Sequence, residues 1–146
     1  MIAYGIGSSR YPANDGEGAK RHGGRWNHKG TAVVYCAESV AHCALEVLAN
    51  SSRLPADCIL TQIHIPDALH VSIIQASELP NGWNDPAPSD VTRDIGTSWI
   101  RDGATAVLSV PSSIITRKRN YLLNPAIRDS PRSNLMIRSP FTSIQG

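Results

Sequence analysis

The side chains best able to do chemistry gather in one stretch, His22 to Asn50, which reads HGGRWNHKGTAVVYCAESVAHCALEVLAN. Arg25 follows a glycine pair, Tyr35 ends a short apolar run, and Glu46 stands in an amphipathic segment. Far along the chain, Ser112 follows the run Ala104 to Val110 and its terminating Pro111. Arginine offers a planar fork for phosphate oxygens. Tyrosine offers a flat face with a polar tip for a heteroaromatic ring, and a carboxylate offers negative charge to a developing cation. Together these types suit a phosphorylated nucleoside. Singly each has a plainer reading: Glu46 as a solvated helix glutamate, and Gly16, Gly18, Gly23 and Gly24 as ordinary turn residues.

Other chemistries lack their signatures. The five histidines, His22, His28, His42, His64 and His70, form no HExxH and no metal-ligand spacing with cysteine, so no metal site is expected. No serine lies in GxSxG, and no Walker loop is present to cradle phosphates. Gly5 and Gly7 make a GxG, but Arg10 occupies the third position of a dinucleotide fingerprint.

Hydropathy and turn residues predict the elements that must hold these groups. Met1 to Ile6 reads as a short strand and Gly7 to His22 as a long loop. Thr31 to Cys36 is β-branched and bounded by Gly30, so it reads as a buried strand. Ser39 is placed to cap a helix whose apolar stripe is Val40, Cys43, Ala44, Val47 and Leu48, with Glu46 pointing off that stripe beside His42. Asp57 to Ile65 and Leu69 to Ile74 read as strands in a meander or hairpin around Pro66-Asp67. Ser77 to Ser89, dense in Pro, Asn and Gly around Trp83, predicts a loop. Thr92 to Arg101 predicts a helix stopped by Gly103, and Ala104 to Val110 a further strand. The run Arg117-Lys118-Arg119 reads as solvated, and Leu135 to Ile137 as a last strand.

The 146 residues suit a single domain, 1–146, with an aliphatic core, since the chain has only one Phe. A net charge of +2 gives no general case for nucleic acid or anionic membrane, so any anion site must be local. Three cysteines without CxxC spacing, Cys36, Cys43 and Cys58, point to a reducing cytoplasm. Neither a signal segment nor a membrane span is expected.

Over most of its length the chain resembles the RES domain toxins of bacterial RES-Xre toxin-antitoxin systems. The resemblance rests on GGRWN at Gly23 to Asn27, VVY at Val33 to Tyr35, ALEVL at Ala44 to Leu48, Trp83 after a Leu-Pro, SWI at Ser98 to Ile100, VPS at Val110 to Ser112, and NYLLNP at Asn120 to Pro125. It implies an α+β fold like that of the ADP-ribosyltransferase toxins, with central mixed or antiparallel sheets and flanking helices. It implies Arg25, Tyr35, Glu46 and Ser112 as catalytic residues, Ser112 preferred over Ser113 because it directly follows Val110-Pro111. Arg25, Tyr35, Ser112 and Asn27 are the implied nucleotide-binding residues.

The implied activity is cleavage of the nicotinamide–ribose bond of NAD, as substrate, with water or phosphate as acceptor and no cofactor or metal required. Protein ADP-ribosylation is the alternative within enzymes. The implied partner is a cognate Xre-family antitoxin, which would carry any DNA contact, with a homodimer inside the complex. The chain departs from the family pattern at Gly5, where an arginine is usual, and at Ile127, where a histidine is usual. Those departures motivate a further alternative, a catalytically decayed module that only binds its antitoxin. One geometric expectation follows: Arg25, Tyr35 and Glu46 should line a single cleft, with Ser112 arriving from a distant strand.

Overall fold

A computed structural model describes the chain except residues 9, 12–14, 52, 128–135 and 144–146, with backbone alone at Ser51 and 136–143. Seven strands form one mixed sheet in the order β4-β5-β6-β2-β1-β3-β7. They are β1 (Ile2–Gly7), β2 (Val34–Ala37), β3 (Ile59–His64), β4 (Val71–Ile73), β5 (Val107–Pro111), β6 (Arg119–Leu123) and β7 (Met136–Ser143). Helices α1 (Glu17–His22), α2 (Val40–Ser51) and α3 (Asp90–Asp102) complete an α+β fold. Among the described residues β4 and β5 pair in parallel and the other neighbours antiparallel.

The sheet is buried on both faces at β5, every residue of which is buried, in keeping with the continuous apolar run of its sequence. Val107 and Leu123 pack with Val34, Cys36 and Ile63 on one side. Leu108, Val110 and Leu122 pack with Trp26, Trp83 and Trp99 on the other. Helix α3 supplies Trp99 to the second cluster, its indole Nε1 donating to Thr105 Oγ1 at 3.0 Å. It ends as predicted at Gly103, whose left-handed φ of 62° suits a residue without Cβ. Gly96 brings α3 so near the Gly24-Trp26 turn that a Cβ there would stand 1.7 Å from the Trp26 carbonyl oxygen.

Four expectations change. The segment Gly7 to His22 ends in α1, a helix with no buried residue and therefore no apolar stripe to detect. Glu17 in its first turn and Lys20, Arg21 and His22 in its last suit the helix dipole. No hairpin joins β3 to β4, because β1 and β7 occupy both edges of β3, and β4 crosses to the far edge beside β5. Arg119 is not a solvated member of its basic run. It opens β6, its Nε donating to Ser109 Oγ at 2.6 Å, with one Nη group donating to the Ile74 and Ser109 carbonyls. The last strand runs Met136–Ser143 rather than Leu135 to Ile137, and Leu135 lies outside the described residues. Among the described residues no helix is long and apolar enough to cross a membrane.

Candidate active site

Between α1, β2, α2 and the loop before α3 lies a cleft of about 470 Å³, within the roughly 300–1,000 Å³ usual for small-molecule sites. Arg25, Tyr35 and Glu46 all line it, as do Arg93, Pro86 and Asn120.

Glu46 reaches the cleft because α2 turns a different face inward from the one its hydropathy suggests. Ser39 Oγ accepts the His42 backbone N–H at 3.1 Å, capping the helix as predicted. The helix then buries His42 and Cys43, while Val40, Leu45 and Leu48 remain exposed. One helical turn beyond His42, Glu46 lies on this inward face, its side chain only 18 % exposed.

A set of donors gathers on one carboxylate oxygen. Glu46 Oε1 accepts the Ser112 hydroxyl at 2.6 Å and the Asn120 side-chain amide at 2.9 Å. His42 Nε2 lies 3.3 Å from the same oxygen and 2.9 Å from Asn120 Oδ1. Both neighbours of Nε2 are acceptors, so the network puts the ring proton on Nε2. Among the described residues Oε2 takes no hydrogen bond, leaving one oxygen fixed and the other free.

Arg25 is 9 % exposed and its fork is partly used. Nη1 donates to the Trp83 carbonyl and Nη2 to the Asp85 carbonyl, each at 2.7 Å, so Arg25 holds the loop that brings Pro86 and Pro88 to the cleft. Burial pushes its pKa below the usual guanidinium range, the charges of Glu46 and Asp85 raise it, and Arg93 lowers it further. Tyr35 lines the cleft, and its hydroxyl is tied into the GGRWN turn. That hydroxyl donates to Asn27 Oδ1 at 2.6 Å and accepts the Trp26 N–H at 3.1 Å. Desolvation pushes the phenol well above its ordinary 10.0, so it is neutral near pH 7.

The RES domain sequence pattern matches residues 2–140, almost the whole chain. The chain belongs to the RES domain family. It is 41% identical over 130 residues to "Toxin Res" of Yersinia enterocolitica, covering 86% of this chain and 84% of that one. It is 40% identical over 126 residues to the "Prs ADP-ribosylating toxin" of Sphingobium sp., covering 82% and 78%. The fold is similar to that in the crystal structure of the M. tuberculosis MbcT-MbcA toxin-antitoxin complex, with a TM-score of 0.76 at 22% identity over 97% of this chain and 82% of that one.

Within this RES domain, two of the expected nucleotide-binding residues do not reach the cleft. Ser112 is fully buried; besides donating to Glu46, its Oγ accepts the N–H groups of Ile114 and Ile115, both at 3.1 Å. Its donor and acceptor sites are thus engaged within the fold, and it fixes the Glu46 carboxylate from behind the cleft lining. Asn27 is also fully buried. Its amide donates to the carbonyls of Ala19, His28 and Thr31 and its Oδ1 accepts Tyr35, so it ties the GGRWN turn to α1 and β2. Conversely, His42, Asn120 and Arg93 were missed as site residues. The i, i+4 spacing of His42 and Glu46 was a visible signal, whereas the approach of Asn120 is set by the placement of β6 between β5 and β2.

Proposed function

We propose that this chain is the toxin of a toxin-antitoxin pair and that it cleaves the nicotinamide–ribose bond of NAD. The observation that carries the proposal is the Glu46 carboxylate, with Oε1 immobilised by Ser112 and Asn120 and Oε2 without a hydrogen bond among the described residues, in the cleft that Arg25 and Tyr35 also line. Breaking that glycosidic bond builds positive charge on the ribose, as in oxocarbenium-like glycoside hydrolysis. A carboxylate already oriented in a partly desolvated cleft stabilises that charge without reorganising. Oε2 is the oxygen to face the ribose, holding a hydroxyl or orienting the acceptor. The Tyr35 ring faces the nicotinamide side, and Arg25 adds positive potential for the diphosphate. Nicotinamide departs with the electron pair of the broken bond, and the oxygen of water, which releases a proton to solvent, or of phosphate bonds to the ribose carbon. NAD is the substrate here, with no separate cofactor and no resident metal in the scheme.

A second reading, transfer of ADP-ribose to a protein, is favoured by the similarity to a relative named as an ADP-ribosylating toxin. An Xre-family antitoxin is the proposed partner. It would cover the cleft and carry any DNA contact, with a homodimer of this chain inside the complex and a cytoplasmic location.

Purified chain incubated with NAD should release nicotinamide, and Glu46→Gln should slow release by roughly 100-fold or more. Release at the parental rate by Glu46→Gln would remove the carboxylate from the mechanism. Labelled NAD in cell extract separates the acceptors: free ADP-ribose or its phosphate marks cleavage, and a labelled protein band marks transfer. Steady NAD with a folded chain and bound antitoxin would mark the binding module.

A further inference from the structure

The cleft has a second arginine, which the fold holds only loosely and which makes no hydrogen bond to Glu46 among the described residues. Arg93 stands on the first turns of α3 and lines the cleft together with Pro88, just before that helix. Its side chain is 31% exposed. Its contacts are weak: Nε lies 3.4 Å from the Gly24 carbonyl, and Nη1 lies 3.3 Å from Asp90 Oδ1, whose own side chain is 78% exposed. Both exceed the usual range of about 2.7–3.2 Å, and an exposed pair of this kind contributes little. Nη2 has no hydrogen bond among the described residues.

Arg25 differs on every count, being buried with both Nη atoms engaged at 2.7 Å. The two guanidinium groups are near enough for Arg93 to depress the Arg25 pKa. Two like charges beside one cavity, one locked and one loosely held, leave a place for an anion whose charge offsets their repulsion. The start of α3 adds to the positive potential, since Ser89 at its N-cap makes no side-chain bond to the first-turn N–H groups.

We infer that Arg93 is the phosphate-contacting cation of the cleft, closing its loosely held fork on the diphosphate of a dinucleotide while Arg25 secures the wall against which that diphosphate lies. The inference rests on the proposed reading of NAD as substrate. It assigns Arg93 a specificity role: ligands with a phosphate gain from it, and ligands ending at the ribose do not. A charge-assisted fork of this kind is lost with roughly a 10- to 100-fold change in affinity.

The test uses the Glu46→Gln chain, which should hold NAD without consuming it, titrated calorimetrically with NAD and with nicotinamide riboside, which has no phosphate. Adding Arg93→Gln should weaken NAD about 10- to 100-fold and leave the riboside unchanged, with Arg93→Lys in between. In the otherwise unaltered chain, Arg93→Gln should raise KM for NAD by a similar factor while kcat changes less than about 3-fold. NAD binding unchanged by Arg93→Gln, equal weakening of both ligands, or a fall in kcat at constant KM would each overturn the assignment while leaving the NAD reading standing. Failure of the folded Glu46→Gln chain to bind NAD at all would instead overturn both.

Discussion

At the scale of single residues, the site divides between groups that face the cleft and groups that hold them. Ser112 is the clearest case of the second kind, because its hydroxyl is spent on Glu46 and on two backbone N–H groups. Replacing it by alanine removes a charge-assisted hydrogen bond worth about 1.5–3 kcal/mol and lets the carboxylate turn. Ser112→Ala should therefore lower kcat by roughly one to two orders of magnitude, with KM for NAD nearly unchanged because Ser112 does not touch the cavity. A KM effect without a kcat effect, measured by steady-state nicotinamide release, would place Ser112 on the substrate instead. Residue types and spacing made Arg25, Tyr35 and Glu46 visible as a group. They left hidden which atom of each was free, since the Tyr35 hydroxyl and part of the Arg25 fork are consumed by neighbours remote in sequence.

At the scale of elements, β2 and α2 were readable because a β-branched run, Thr31 to Cys36, leads into the one, which itself spans only Val34–Ala37, and the other starts at a serine cap. Helix α3 was readable because its Trp99 and Gly103 sit where periodicity and the left-handed stop require. The inward face of α2 was misread in part, since hydropathy puts Val40 and Leu48 on the buried stripe with Cys43, yet both are exposed and the helix seats His42 and Glu46 against polar groups of β6 and the Ser112 turn. The position of β4 was illegible because nothing local in Val71–Ile73 encodes a parallel pairing with β5. The approach of α3 to the GGRWN turn is tested by Gly96→Ala, which forces a methyl into the Trp26 carbonyl. Alanine favours the helix itself, so any loss comes from this crossing alone. Overpacking of this kind typically costs about 1–3 kcal/mol, and contact with unyielding backbone puts the expectation at the upper end. Thermal unfolding should shift down by several degrees; an unchanged or raised Tm would show that α3 does not lie this close.

At the scale of the whole molecule, the sheet and α2 together bury three proton-bearing groups beside the cleft: Tyr35, Cys36 and Cys43. Desolvation raises all three pKa values, Cys43 from 9.0 to about 12, Cys36 well above 9.0, and Tyr35 above 10.0. A neutral lining of this kind keeps the surroundings of Glu46 poor in competing negative charge near pH 7. It also links folding to alkaline pH with a definite sign. Below about pH 8 these groups are protonated in both folded and unfolded chains, so they add almost no pH dependence. Above it the unfolded chain loses protons that the folded chain keeps, and stability falls by up to about 1.4 kcal/mol per pH unit for each group. The loss continues until the pH passes the folded pKa. Tm should therefore be nearly flat from about pH 7 to 8.5 and drop steeply towards pH 10.5, with Cys43→Ala reducing the slope by the share of one group. A flat profile to pH 10.5 would mean that these thiols and the phenol ionise in the folded chain. The lining of the cleft would then be wet, and Glu46 would work against far stronger solvent screening.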